Sequence, residues 1–545
     1  MKKHIFTTLA LTGLAAGLSA QTVKSGNITA NETWSGEIVM DGAIFVKSGA
    51  TLTINPGTIV RGQPRTAAVQ ANVTAGTPGT LIVTQTGRIV ANGTASDPII
   101  FTTAAVDNNN DGIPDDADTS GFLDAWTPGD TFYDDDPKNA PLAPLNKAGD
   151  ANVSLWGGLV ITGNAPTNLS NKDGVGYGKG IIEGLTVPGF PASDATYGGV
   201  LPHDNSGSLK FVSVRHAGDE IGANNELNGI SLGGVGDGTV FENIEVYCNF
   251  DDGIEWFGGT VNGKNLAVFF IGDDSFDLDE GYTGSNQFVF AVMPFFNEND
   301  GGIYGSKSGD KAGEFDGLNG DDFNTRVKFD VTAFDSTPWP LPNPEFWNTT
   351  LIGSTLPASP EFTPTSVASA NSGFNFIAGY AGSMYSAFIV NTGTAGGIVV
   401  STDIQGGAGF TVSDNVANGL VNVVSSTFNN TAALSGDAAT VIANGDAIAA
   451  NFGGTANVVN AGNTLTQGDV SFDPTGDANG KLVSSLKSAP IDPRPAFAFS
   501  GINDGAQAQG FGLEAVTYRG AFDRAAPTLW TTGWTAMNIA GLLAD

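Results

Sequence analysis

The chain runs to 545 residues, with 56 acidic against 23 basic side chains, a formal charge of −33 and only 14% charged residues beside 75 glycines. That balance disfavours nucleic acid and anionic membrane as partners, which would repel the chain, and it favours cations. A lone cysteine, Cys248, excludes an intramolecular disulfide, so stability has to come from stacking, with metal as one further source.

In chain order, residues 1–20 read as a signal peptide. Lys2 and Lys3 precede an apolar run from Ile5 to Leu18 and a small-residue cleavage site at Ser19-Ala20. No later segment is long and apolar enough to span a bilayer. The expected location is therefore secreted, or on the outer cell surface of a bacterium. Residues 21–105 carry short alternating strands around turns such as Asn55-Pro56-Gly57 and read as opening rungs of a solenoid. Residues 106–150 are rich in Asp, Pro and Asn and read as an acidic insertion. Residues 151–430 resume the strand rhythm, with side loops at 163–207 and 306–375. Residues 431–545 read as C-terminal rungs and an aromatic cap over the last rung.

The architecture follows from an internal echo. Asn228-Gly229-Ile230-Ser231-Leu232 returns as Asp252-Gly253-Ile254-Glu255-Trp256, then as Asp274-Ser275-Phe276-Asp277-Leu278, and again near Asp300-Gly301-Gly302-Ile303. Steps of 24, 22 and 26 residues made of short strands and polar corners predict an all-β, single-stranded right-handed parallel β-helix with irregular loop insertions. Cys248 then falls in a strand, where burial suits it better than nucleophilic chemistry.

Five runs carry a family resemblance: LWGGLVITGNAPTN, NELNGISLGGVGDGT, DDGIEWFGGTVNGKNL, DDSFDLDEGYTG and the terminal YRGAFD with WTTGWT. Together they resemble a widespread bacterial family of secreted or outer-membrane β-helix proteins, with a more distant pectate-lyase and polygalacturonase-like architecture. The resemblance implies fold and export and brings no activity with it.

Three constellations could carry chemistry. Asp107, Asn109, Asp111, the Ile113 carbonyl, Asp115 and Asp118 have the spacing of an EF-type calcium loop, with Gly112 at the turn and Asp in place of the closing Glu. A structural Ca2+ is expected there. Stacked rungs would also bring acids about 5 Å apart, which sets a second cation site at Asp252, Asp274, Asp277 and Asp300. The spacing of Asp252, Asp273 and Asp274 is similar to the catalytic carboxylates of polygalacturonases, although Asn299-Asp300 stands where that family has histidine and its basic clamp is absent. Trp339 and Trp347 flank a proline-rich stretch that could contact a glycan. The expected function is a calcium-stabilised structural, adhesive or glycan-binding element facing extracellular polysaccharide or other cell-surface components. The alternative is a polysaccharide hydrolase or lyase.

Overall fold

The computed structural model describes residues 21–66, 77–116, 122–145, 151–169, 173–183, 185, 190–222, 225–294, 309, 311–317, 343–353, 372–393, 397–400, 412–417, 419–424, 426–431, 434–436, 459–460, 490–495 and 512–544. Among these residues, 26 strands join in one hydrogen-bonded network, and every pairing within it is parallel. The chain is a parallel β-helix, as the 24- and 22-residue steps imply.

One coil shows how the sequence builds it. Strand Val240–Tyr247 bends at Asn243, so its two halves lie on a first and a second face. A turn then leads to Ile254–Phe257 on a third face, and Gly263–Phe269 starts the next coil directly on the one below. The bend demands left-handed backbone. Phe211, Asn243, Asn265, Phe288, Asn348 and Ser386 occupy this one corner in successive coils, with φ between 48° and 59°. Asn tolerates that conformation, whereas each Phe there costs about 1–3 kcal/mol that stacking must offset.

The core is the interior of the tube. On the third face Leu232, Trp256, Leu278, Phe315 and Phe376 stack inward through five coils and are all buried. Apolar surface so removed from water is worth about 25 cal/mol per Å2, which makes these columns the main driving force.

Two features differ from expectation. The strand that stacks on Phe276–Asp279 is Lys311–Asp316, which falls within the expected side loop. The echo near Asp300 lies outside the described residues. The coil here takes a longer excursion before its third-face strand, so sequence spacing alone misplaces the register. Glu345–Ile352, also assigned to that side loop, is likewise a full strand. The aromatic C-terminal segment does not sit over a last rung. It lies along the second face, where Trp534 packs edge-on to Phe211 and Phe522 to Phe290.

The insertion after residue 103 packs back on the tube. Arg61 is fully buried; it donates to Glu37 at 2.7 Å and to the Asp134 carbonyl at 2.7 Å, and lies over the Phe132 ring. The loop after Thr162 covers the third face with Leu169, Ile182, Leu185, Phe190 and Tyr197.

Candidate functional site

Register on the third face places Ser231, Glu255, Asp277 and Glu314 in one outward column. Just before these strands, Asn228, Asp252, Asp274 and Lys311 form a second column, tied by Gly229 N–H to the Asp252 carbonyl and Gly253 N–H to the Asp274 carbonyl. The turn side chains cap one coil with the next. Asn228 Oδ1 accepts from Asp252 N–H at 3.2 Å, and Asp252 Oδ1 accepts from Asp274 N–H at 2.9 Å. Asn228 Nδ2 donates to Glu255. These bonds satisfy backbone donors at corners that the strand ladders do not reach.

The result is a dense acidic cluster. Carboxylate oxygens of Asp251, Asp252 and Asp273 lie within 4.8 Å of one another, as do those of Asp252, Glu255 and Asp277. Asp252 belongs to both groups. Opposite charge enters through Lys311, whose Nζ sits 2.9 Å from Glu314 and 3.6 Å from Asp274 Oδ2. Asp274 Oδ1 is buried with no hydrogen-bond partner. At the rim the Tyr197 hydroxyl donates to Glu280, and Asn168 donates to the Gly317 carbonyl at 2.8 Å, so the covering loop walls the cluster.

Burial is the first cause of what these acids do electrostatically. Desolvation, then repulsion from Asp252 and Glu183, raises the Glu255 carboxyl well above the usual range. Asp277 rises through burial and then through Glu255 and Asp252. Asp274 rises through burial, with Lys311 opposing and Asp252 adding to it. Asp316, one coil further, is pushed up to about 8 by burial and then Asp279.

Of the acids expected at the second cation site, Asp252, Asp274 and Asp277 share this cluster, and Asp300 lies outside the described residues. Of the expected catalytic set, Asp252 and Asp273 share one oxygen cluster, and Asp274 stands in the next coil above Asp252. Spacing found the acids from Asp252 to Glu280 but missed Lys311, Glu314, Asp316 and Glu183. Their signal was the run Glu314-Phe315-Asp316-Gly317, which repeats the Asp277-Leu278-Asp279 pattern after a longer excursion.

Residues 107–115 form a turn closed by side-chain acceptors. Asp107 accepts from Asp111 N–H at 3.1 Å and Gly112 N–H at 2.9 Å, and Asp111 accepts from Ile113 N–H at 2.9 Å. Asn109 accepts from Asp111 N–H at 2.8 Å, Asp115 accepts from Asn108 N–H at 2.8 Å, and Gly112 has φ of 80°. Asp118 lies outside the described residues. Trp347 does not offer a sugar platform: its ring is buried, stacks on Tyr385 at 4.0 Å, and donates to Glu345 at 3.0 Å. Trp339 lies outside the described residues.

The family model described as "Pectate-lyase like beta helix domain" matches residues 26–113 and 143–535. A search of curated proteins returned no match. Among solved structures the chain is similar to the Dettilon tailspike protein, at 11% identity and a TM-score of 0.21 over 76% of this chain. The chain spans 61% of that tailspike's length.

Proposed function

The chain belongs to the pectate-lyase-like β-helix family, and from that premise we propose that it is an exported, Ca2+-binding rod that engages extracellular polysaccharide or other cell-surface components along its third face without cleaving them. The observation that carries this reading is the sharing of Asp252 between two carboxylate groups, each with oxygens within 4.8 Å. Hard divalent cations take several carboxylate and carbonyl oxygens at 2.3–2.6 Å, roughly the density this cluster supplies. Inverting hydrolysis instead needs two carboxyls about 6.5–9.5 Å apart, with water between them. The corner acids also spend oxygens on backbone N–H groups, a use that fits a scaffold better than an acid–base pair.

Export is supported by the basic and apolar pattern of residues 1–20. The loop at Asp107, Asn109, Asp111, Ile113, Asp115 and Asp118 supplies a second, structural Ca2+ in this reading. One observation favours the lyase alternative: Lys311 stands beside Asp274, where a calcium-assisted lyase would place its base.

A glycan panel incubated with calcium or with chelator separates the two. Binding that requires calcium, with no new reducing ends and no unsaturated uronate absorbance, supports the scaffold. Product formation that is lost in Lys311→Ala or Asp274→Asn overturns it.

A further inference from the structure

Residues 512–544 add no strand to any of the three faces. They run across the outside of the second face and touch coils that are far apart in sequence. Gly520 N–H donates to the Ser386 carbonyl at 2.7 Å, and Ala521 N–H donates to Thr350 Oγ1 at 2.8 Å. Gln287 grips Glu514 twice, donating to its carbonyl at 2.8 Å and accepting from its N–H at 2.7 Å. At the far end, Glu245 accepts from Ala536 N–H at 2.8 Å and from Met537 N–H at 3.3 Å.

Glu245 is built for this contact. It is fully buried, takes the Ser213 hydroxyl at 2.5 Å, and lies 3.8 Å from Arg215 Nε. Beneath the segment run Phe269, Phe290 and Phe388, outward-facing residues of three coils that are buried among its side chains. Rung side chains and the Ser386 carbonyl hold the segment, and among the described residues its one β-bridge is Ile491–Leu543. Its helix, Ala536–Ile539, is too short to persist undocked.

We infer that residues 512–544 are a clasp that opens and closes over the finished β-helix as one unit, anchored at Glu245, and that its opening uncovers the aromatic stripe of the second face. A clasp of this kind ties coils that otherwise touch only their neighbours, so it restrains fraying along the rod.

Hydrogen exchange on the full chain tests it. In the unaltered protein the amides of Glu514, Ala521, Ala536 and Met537 should exchange together, at least about tenfold faster than those of Val240–Tyr247. Thr350→Val removes only the Ala521 acceptor. If the clasp is one unit, it should speed Ala536 and Met537 by the same factor as Ala521. Glu245→Gln should speed all four by about ten- to hundredfold and leave Gly263–Phe269 unchanged. Exchange of the segment at the rate of the strands, or acceleration by Thr350→Val confined to Ala521, overturns the inference.

Discussion

Two stretches of the third face share one backbone and differ in chemistry. In the early coils the outward column reads Phe45, Ile82 and Val160; from the next coil on it reads Ser231, Glu255, Asp277 and Glu314. The first stretch is sealed by the loop that carries Ile182, Phe190 and Tyr197, and its column is as buried as the core. The second lies just past that cover, where the same loop serves only as a wall through Asn168 and Tyr197. The stacked backbone therefore fixes where side chains point; apolar residues of the covering loop surround the first stretch, whereas neighbouring acids, Asn228 and Lys311 surround the second.

The largest effect should come from moving the chemistry of one stretch into the other. Val160→Asp puts an unpaired charge under the covering loop and should cost about 3–5 kcal/mol, read as a loss of folded protein in urea melts. A change no larger than that of Val160→Ala would mean that the loop does not seal the column.

A covered titratable group gives the next test. His216 is buried, its Nδ1 is 2.6 Å from the Asn152 carbonyl, and burial pushes its pKa down to about 4. Between pH 6.5 and 4 the unfolded chain takes up a proton that the folded chain refuses, so stability falls with pH across that window. The fall attributable to His216 is about 3 kcal/mol. His216→Asn, which suits the φ of 61°, should flatten that part of the profile in pH-dependent melts.

In the acidic stretch the effects are smaller and depend on cation. Asp277→Asn relieves repulsion from Glu255 and should stabilise the chelated protein by about 1 kcal/mol, while abolishing any gain on adding calcium. Lys311→Met removes the positive charge facing Asp274 and Glu314 and should cost under about 1 kcal/mol in chelator, with calcium erasing the difference. Thermal melts of both variants with and without calcium check these signs.

Much of this was legible in the sequence. The steps between Gly229, Gly253 and Ser275 set the coil, and with it the stacking of Asp252 under Asp274 and Glu255 under Asp277. What escaped was whatever a loop length hides. The excursion before Lys311 made a fixed period point to Asp300 instead of the true next strand. Trp347 looked like a loop aromatic because prolines precede it, yet strand pairing buries it against Tyr385. The aromatic C-terminus reads as a cap on the last rung, but nothing local in its composition says which face it lies on, since its partners, Gln287, Thr350 and Glu245, are over 150 residues away.

The most direct test of the acidic cluster is calorimetric titration of chelator-stripped protein with calcium, in a background where Asp107→Asn and Asp111→Asn silence the loop. Saturable heat in that background, lost on adding Asp252→Asn, is the predicted result. Equal heats with and without Asp252, or none in either, would contradict the account.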